Sequence, residues 1–307
     1  MRIAIIGTGG VGGYFGGKLA KAGNDVTFFA RGAHLKAIQE NGLTVNSILG
    51  NFKLEKVKAT DNIEAIGKVY LVVLALKAWQ VKDIAVFLPS ILHDDSTVLT
   101  LQNGVTIPEE LKEYISPKHI LSGLCRIISK IESPGVINHF GVEPTIIFGE
   151  PNNTKTERAN KINELFDKAE IKAFISRDID ADLWKKFISI CISGLMAVSK
   201  CSYGAVAANY GTRQLMIELF NEIYQLSQKM GIHIESDYVE KNVAIIDSFP
   251  FDSTTSLARD VWDGKPSEIE YQNGTVVKLA EKYGVDVPVN RFVYYCILPM
   301  EEKARKR

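Results

Sequence analysis

The sequence has no excess of charge of either sign. Its 307 residues include 36 lysines and arginines and 36 aspartates and glutamates, so the formal net charge at pH 7 is zero. A chain without a positive field has no electrostatic preference for nucleic acid or for an anionic membrane. We therefore expect its partner to be a small molecule.

Cysteine is scarce and scattered. The four cysteines, Cys125, Cys191, Cys201 and Cys296, form no C-x-x-C pair, which disfavours both a zinc site and a disulfide framework. The five histidines lack the H-x-x-x-H and H-x-E spacings of metal ligands. The sequence predicts no metal site.

Long apolar runs are also absent. No run approaches the ~18 apolar residues that a membrane-spanning helix needs. Glycines at positions 7, 9, 10, 12 and 13 interrupt the apolar N-terminus, which argues against a signal peptide. We expect a cytoplasmic protein with no membrane partner.

What the chain does contain is a pattern of buried strands and helices. Residues 2–6 predict a strand, residues 14–22 a helix and residues 25–30 a second strand, a unit of the size expected for a parallel βαβ motif. Further apolar runs at residues 69–76, 97–101, 120–123, 145–148 and 173–175 alternate with helical or polar segments, as the strands of a buried sheet do.

The pattern changes after Arg177, where long segments with 3.6-residue periodicity replace the strands. The predicted fold is therefore α/β: a Rossmann-type doubly wound domain at residues 1–176 and an all-helical domain at residues 177–307. In the helical part, Asp252 or Ser253 is predicted to cap a helix that stops at Gly264. Ser267 and Glu270 match a capping box for a helix that stops at Gly284.

A G-x-G-x-x-G motif follows the first strand and precedes the first helix. It consists of Gly7, Thr8, Gly9, Gly10, Val11 and Gly12. The first glycine permits a tight turn, the second lets the backbone approach a pyrophosphate, and the third lets helix and strand pack closely. The motif predicts a dinucleotide site, and an ordinary glycine turn is the alternative.

Arg31 directly follows the second strand, where NAD-binding chains carry an acid for the ribose 2'-hydroxyl. A guanidinium suits a 2'-phosphate, and no carboxylate stands in that position to repel it. Arg31 therefore favours NADPH/NADP+ as cofactor, with a solvated surface arginine as the alternative.

Two further polar residues follow predicted strands. Lys77 follows residues 69–76, and Asn103 follows residues 97–101. Ligands of doubly wound sheets bind at the carboxyl ends of the strands, so both residues are candidates for cofactor contact. An ordinary loop lysine and an ordinary Asn-Gly turn are the alternatives.

Three motifs carry a resemblance to a known family: Leu76-Lys77-Ala78-Trp79-Gln80, Gln102-Asn103-Gly104 and Pro266-Ser267-Glu268-Ile269-Glu270-Tyr271-Gln272-Asn273-Gly274. Over essentially its whole length the sequence resembles the ketopantoate reductases (2-dehydropantoate 2-reductases). The resemblance implies a Rossmann domain and a helical domain like that of 6-phosphogluconate dehydrogenase. It also implies reduction of ketopantoate to pantoate with NADPH, for pantothenate and coenzyme A biosynthesis, in a cleft between the domains.

The resemblance also implies roles for particular residues. The family's nucleotide residues fall on residues 7–12, Arg31, Lys77 and Asn103, and Asn103 also meets the substrate. The catalytic lysine falls on Lys186, in Trp184-Lys185-Lys186. The serine that meets the substrate carboxylate falls on Ser256, and the glutamate beside the nicotinamide ribose falls on Glu268, which we expect to be the first residue of a helix.

A lysine ammonium suits the reaction because hydride transfer to a ketone leaves negative charge on the oxygen. The ammonium supplies both a proton and a stabilising charge. The apolar residues Phe187, Ile188 and Ile190 that follow Lys186 predict partial desolvation of this group.

One departure from the family pattern concerns the substrate. Relatives commonly carry asparagines four and eight residues after the catalytic lysine, where this chain has Ile190 and Gly194. Either the helix register shifts, so that Lys185, Ser189 and Ser193 replace the usual set, or the substrate is held differently. Ser193 is the expected substitute for the second asparagine.

The departure leaves three functions open. The first is ketopantoate reduction, the second is reduction of another branched 2-keto acid, and the third is a non-catalytic NADP-binding sensor. The expected partner is a small 2-keto acid, and a homodimer remains open.

Overall fold

The first part of the chain alternates between buried strands and helices. The computed structural model describes residues 1–306; Arg307, the last residue of the predicted helical domain, lies outside the described residues. The chain divides into two units. The N-terminal unit comprises Met1–Gln102 and Ile107–Ile179, and the C-terminal unit comprises Asn103–Thr106 and the chain from Asp180 onward.

This division differs from the predicted boundary after residue 176. The segment Asn103–Thr106, which the prediction placed in the sheet domain, groups with the helical unit. The side chain of Asn103 donates a hydrogen bond to Glu268. A Cβ on Gly104 would lie 2.8 Å from the carbonyl oxygen of Tyr271, so the segment is packed closely into that unit.

The N-terminal unit contains twelve strands and six α-helices. Its strands are β1 (Arg2–Ile6), β2 (Asp25–Phe29), β3 (Leu43–Ser47), β4 (Phe52–Leu54), β5 (Lys58–Thr60), β6 (Val69–Leu74), β7 (Leu92–Thr100), β8 (Ile120–Arg126), β9 (Ser129–Ser133), β10 (Val136–His139), β11 (Thr145–Gly149) and β12 (Lys172–Ile175). Its helices are α1 (Gly10–Lys21), α2 (Gly32–Asn41), α3 (Val81–Ala85), α4 (Leu88–Ile91), α5 (Ile107–Leu111) and α6 (Glu157–Lys168).

The main sheet has eight strands in the order β12-β11-β8-β7-β6-β1-β2-β5. All neighbouring pairs are parallel except β8 and β11. The strands predicted from the apolar runs are all present in this sheet, and the Rossmann-type fold class is confirmed. From β1 the chain runs outward to β2 and β5 and then returns to β6 on the other side of β1, which makes the carboxyl ends of β1 and β6 a topological switch point.

A second, four-stranded sheet in the order β4-β3-β10-β9 was not predicted. Its strands are short and only partly buried, so they lack the continuous apolar runs of the main sheet. The two central strands, β3 and β10, pair in parallel although they are far apart in the chain.

Glycines on α1 let both sheets approach this helix. A Cβ on Gly16 would lie 2.6 Å from Ile5 Cγ1, on the main sheet, and a Cβ on Gly13 would lie 2.6 Å from Ile137 Cγ1, on the second sheet. These distances are shorter than any normal carbon contact. The glycine-rich helix is therefore the layer between the two sheets.

The C-terminal unit is helical. Its helices are α7 (Ile179–Ile190), α8 (Ile192–Ser199), α9 (Tyr203–Ala208), α10 (Tyr210–Lys229), α11 (Tyr238–Asp247), α12 (Ser256–Trp262), α13 (Asn273–Tyr283) and α14 (Pro288–Arg305). Within the described residues no strand follows Ile175, so the prediction of an all-helical second part is confirmed. Its core packs residues such as Trp184, Phe187, Phe220 and Tyr294 into one apolar cluster.

The predicted helix starts in this unit were wrong. The cap of α12 is Thr255, whose side chain accepts a hydrogen bond from the Ala258 amide, and not Asp252 or Ser253. The capping box of Ser267 and Glu270 does not form, because the Ser267 hydroxyl donates to Glu301 on α14 at 2.7 Å. The next helix, α13, begins only at Asn273. The predicted stop at Gly284 is correct.

Candidate functional site

The glycine motif forms a tight turn between β1 and α1. Gly7 has φ +103°, and a Cβ there would lie 2.7 Å from the Leu76 amide nitrogen. The amide and the hydroxyl of Thr8 both donate to the Phe29 carbonyl, at 3.1 and 2.9 Å. These bonds fix the turn against the end of β2.

The space in front of α1 suits phosphate groups. Gly9 occupies the cap position of α1 and makes no side-chain cap, and a Cβ on Gly9 would meet no described atom within 4 Å. The free amides of a helix N-terminus attract anions. The turn therefore fits the pyrophosphate of a dinucleotide.

Arg31 occupies the N-cap position of α2, two residues after the end of β2, and is exposed, but its side chain makes no capping hydrogen bond. Its guanidinium lies 5.3 Å from the ring centroid of Phe29, and both residues line a pocket of about 210 Å³. The other residues that line the pocket are Asp61, Asn62, Ile63, Glu64, Ile84 and Phe87. No acid stands at the end of β2, as predicted, but the pocket contains two carboxylates from a later segment that the sequence did not indicate.

Lys77 lies at the switch point but not directly at a strand end. Strand β6 ends at Leu74, and Lys77 precedes a 3-10 turn at Ala78–Gln80. Its ammonium lies 5.6 Å from the ring centroid of Trp79. A Cβ on Gly7 would lie 2.7 Å from the Leu76 amide nitrogen. Lys77, the residue after Leu76, is therefore close to the glycine turn.

Asn103 and Glu268 are brought together in the C-terminal unit. The Asn103 amide donates to the Glu268 carboxylate at 3.1 Å, and Glu268 is 4% exposed. Glu268 precedes a 3-10 turn at Ile269–Tyr271, so the expectation that it is the first residue of a helix was wrong. The neighbouring Ser267 anchors this loop, because the Glu301 carboxylate accepts hydrogen bonds from both its amide and its hydroxyl, at 2.8 and 2.7 Å.

The two adjacent lysines of α7 have different surroundings. The Lys185 ammonium forms an ion pair with Glu235 at 2.7 Å and lies 5.8 Å from the Tyr238 ring. The hydrogen bond from Lys185 lowers the pKa of the Glu235 carboxyl. Lys186 is half-buried on the same helix. Lys185 therefore has a structural partner on the segment before α11.

The serines near Lys186 face protein groups. The Ser189 hydroxyl lies 3.2 Å from the Lys185 carbonyl and also donates to Asn242 on α11. Ser193 on α8 is 2% exposed, whereas Ser256, the first residue of α12, is exposed. Of the three, Ser193 is buried, Ser189 is half-buried and Ser256 is the most exposed.

Gly194 is surrounded by the core of the unit. A Cβ there would collide with the side-chain oxygen of Asn273 and would lie 2.5 Å from Val293 Cγ1. The Asn273 amide donates to the Cys191 carbonyl at 3.1 Å, at the break between α7 and α8. A side chain at position 194 would therefore point into the packed interior of this unit.

Two other features of the chain bear on the kind of site. Among residues 1–306, no group of three or more His, Cys, Asp or Glu side chains is arranged to hold a metal ion. Within the same range, no helix combines the length and the apolar character required to cross a bilayer.

Comparison with known proteins identifies the family. The model of the ketopantoate reductase PanE/ApbA family matches residues 3–153, and the model of its C-terminal domain matches residues 178–301. This chain belongs to the ketopantoate reductase family. It is an oxidoreductase of that family, and both family models are matched in the order found in its members.

Individual relatives support the assignment over the full length. The chain is 31% identical over 300 residues to a 2-dehydropantoate 2-reductase of Nostoc sp., covering 96% of this chain and 93% of the relative. It is 29% identical over 297 residues to an uncharacterized oxidoreductase of Bacillus subtilis, YkpB, covering 96% and 97%. The crystal structure of a 2-dehydropantoate 2-reductase from Geobacter metallireducens is 28% identical and superposes with a TM-score of 0.90, over 99% of this chain and all of that one.

Proposed function

We propose that this protein reduces ketopantoate to pantoate with NADPH, in the cytoplasm, for pantothenate and coenzyme A biosynthesis. The observation that carries the proposal is the pair of lysines on α7. Lys185 is ion-paired with Glu235, and Lys186, half-buried on the same helix, is the residue that matches the family's catalytic lysine.

The residues of the N-terminal unit fit a dinucleotide. The glycine turn offers the α1 amides to a pyrophosphate, and Arg31 offers a planar fork of donors to a 2'-phosphate. Lys77, next to the turn, adds a positive charge. When bound, the reduced nicotinamide supplies the hydride that the ketone carbon accepts.

The residues of the C-terminal unit have three tasks. Lys186 holds the ketone oxygen and donates the proton that the developing alkoxide takes. The exposed hydroxyl of Ser256 meets the substrate carboxylate. Asn103, whose amide donates to Glu268, contacts the substrate and the nucleotide, and Glu268 lies beside the nicotinamide ribose.

A second candidate substrate is another branched 2-keto acid. Ile190 stands four residues after Lys186 and is half-buried, so the same helix face presents methyl groups beside the ammonium. The side chain of Ser193 is almost fully buried, and Ser189 is bonded to α11. These observations favour a substrate with fewer hydroxyl groups than ketopantoate.

Steady-state assays with purified protein test the proposal. Oxidation of NADPH is followed with ketopantoate, with 3,3-dimethyl-2-oxobutanoate, which lacks only the hydroxyl, and with 2-ketoisovalerate. A higher kcat/KM for ketopantoate supports the first candidate, and a higher value for the dehydroxylated analogue supports the second. NADPH binding without turnover of any of the three would refute both and would support the non-catalytic sensor.

A further inference from the structure

The pocket beside Arg31 contains charges of both signs. Asp61, Glu64 and Arg31 all line it and all are exposed. None of the three forms an ion pair in the described part of the chain. Their charges are therefore directed at solvent or at whatever occupies the pocket.

Strand register explains why an acid lies beside Arg31. Strand β5 pairs in parallel with β2, with Thr60 opposite Phe29, and the Ala30 amide donates to the Thr60 carbonyl at 3.1 Å. Adjacent strands lie about 4.8 Å apart. Arg31 and Asp61 therefore follow the carboxyl ends of two neighbouring strands and lie beside each other.

Glu64 is held at the pocket by a short, well-bonded turn. The Asn62 side chain accepts a hydrogen bond from the Glu64 amide at 3.0 Å, and the Thr60 hydroxyl accepts one from the Asn62 amide at 3.0 Å. Ile63, 4% exposed, anchors the turn in the core. The backbone that carries the two carboxylates is therefore fixed at the pocket.

The position of the pocket determines what part of a nucleotide it would contact. In dinucleotide-binding folds the adenosine ribose lies at the end of the second strand, where Arg31 stands. A volume of about 210 Å³ is smaller than the ~300 Å³ or more of a site for a whole ligand. It suits one end of a dinucleotide.

We propose that Asp61 and Glu64 oppose Arg31 in the choice between the two nicotinamide cofactors and so reduce the preference of this chain for NADPH over NADH. The inference rests on the nucleotide part of the proposed function. Arg31 attracts the 2'-phosphate of NADPH, while the two carboxylates repel it and leave the uncharged 2'-hydroxyl of NADH unaffected.

Binding of nucleotide fragments isolates this effect from catalysis. Adenosine 2',5'-bisphosphate and 5'-AMP differ only by the 2'-phosphate, and their dissociation constants are measured by calorimetry for the native chain, Asp61→Asn, Glu64→Gln and the double variant. We expect the double variant to bind the bisphosphate about three- to tenfold more tightly, with AMP binding changed less than about twofold. NADPH and NADH should follow the same pattern, and the gain should shrink at high salt.

Asp94→Asn is the matched control. Asp94 lies at the amino end of β7, is fully exposed on its side chain and pairs only loosely with Lys118, at 3.7 Å. The Asp94→Asn substitution removes one negative charge from the same unit, at a position remote from the carboxyl ends of the strands. It should leave the ratio of bisphosphate to AMP affinity unchanged.

Two results would overturn the proposal. One is an unchanged ratio of bisphosphate to AMP affinity in the double variant, whether both affinities stay the same or rise equally. The other is weaker AMP or NADH binding with the bisphosphate unaffected, which would mean that the carboxylates accept bonds from the ribose. Because no keto acid enters the experiment, a failed reductase assay leaves this result intact.

Discussion

Lys185 and Lys186 are neighbours in sequence, and the ion pair of Lys185 with Glu235 predicts different roles for the two lysines. Lys186→Ala should lower kcat by two or more orders of magnitude, on the scale expected for loss of a general acid. Nucleotide binding should stay nearly unchanged. Steady-state kinetics with the best 2-keto acid, together with an NADPH titration, make the measurement.

Lys185→Ala is the control for that experiment. Its ammonium is occupied by Glu235, so we expect kcat within about fivefold of the native value, with some loss of stability from the broken pair. A larger loss of kcat from Lys185→Ala than from Lys186→Ala would contradict the assignment and indicate a shifted register.

Arg31 should govern affinity for the phosphorylated cofactor. Arg31→Ala should weaken NADPH binding by about 10- to 100-fold, the usual effect of losing hydrogen bonds to a charged group. NADH binding should change much less. Fluorescence titration of both nucleotides tests this, and an equal loss for the two would remove Arg31 from the 2'-phosphate site.

Residues near one another in sequence were the easiest to predict. The glycine motif and Arg31 were identified because they belong to one βαβ unit. Asp61 and Glu64 were missed because they reach the same pocket from β5, a three-residue strand with no apolar run. Its pairing with β2 is a tertiary contact that local patterns do not encode.

The α7 and α8 helices are separated by a break at Cys191, and Gly194 packs just beyond it. Gly194→Ala would force a methyl group against Asn273 and Val293. We expect a loss of about 1 to 3 kcal/mol in the free energy of unfolding, as for other overpacked sites. Urea denaturation measures the change.

Gly211→Ala provides the comparison, because Gly211 also lies in a helix, α10, but a Cβ there would meet only Asn209, at 3.4 Å. The same substitution at this site should be neutral or stabilising by up to about 1 kcal/mol. Similar losses at both positions would show that helix propensity, and not the contact with Asn273, determines the effect.

Helix starts were harder to predict than helix stops. Ser267 and Glu270 match a capping box, but Ser267 bonds to Glu301 and Glu270 accepts bonds from Lys278 and Tyr294. Two of these partners, Glu301 and Tyr294, lie on α14. A prediction from neighbouring residues alone cannot include such contacts and therefore assigned a capping box that does not form. The stop at Gly284 depends only on its own left-handed conformation and was predicted correctly.

In the N-terminal unit, the ion pair of Arg158 with Glu150 connects α6 with the segments around β8 and β11. Arg158 on α6 donates to Glu150, after β11, and to the carbonyls of Lys118 and Ile120, before and in β8. Glu150 is 5% exposed. Burial alone would raise its pKa, but hydrogen bonds from Arg158 and Thr156 outweigh this effect and lower the pKa of the carboxyl.

Removal of the arginine should therefore destabilise the unit. Arg158→Met leaves a buried carboxylate without its partner, and we expect a loss of about 3 kcal/mol in the free energy of unfolding at pH 7. Adding Glu150→Gln to Arg158→Met should recover part of that loss. No recovery in the double variant would show that the carbonyl contacts of Arg158 matter more than the charge pair.

The same pair predicts a dependence on pH. Because the pKa of Glu150 is lower in the folded chain than in the unfolded chain, its contribution is present above the unfolded-state pKa. It is lost as the pH falls through the lower, folded-state pKa. Unfolding free energies measured from pH 7 to pH 3 should fall less steeply for Arg158→Met than for the native chain.

At the scale of the molecule, the fold class was predictable and the second sheet was not. The strands of the main sheet are apolar runs, and helical periodicity after Arg177 is unambiguous. The sheet built on β3 and β10 joins short, half-polar segments that are distant in the chain. Its position against α1 depends on a glycine of that helix, Gly13. In the sequence this glycine looks like a part of the nucleotide motif, so its role in packing could not be predicted.

The segment Asn103–Thr106 has a practical consequence. Four residues that group with the helical unit come from the first half of the chain. A single truncation point therefore cannot separate the two units. A fragment beginning at Asp180 would retain Glu268 but would lack the amide that binds it. Work on an isolated C-terminal half would thus begin without the Asn103 side chain that donates to Glu268, unless residues 103–106 were joined to the fragment.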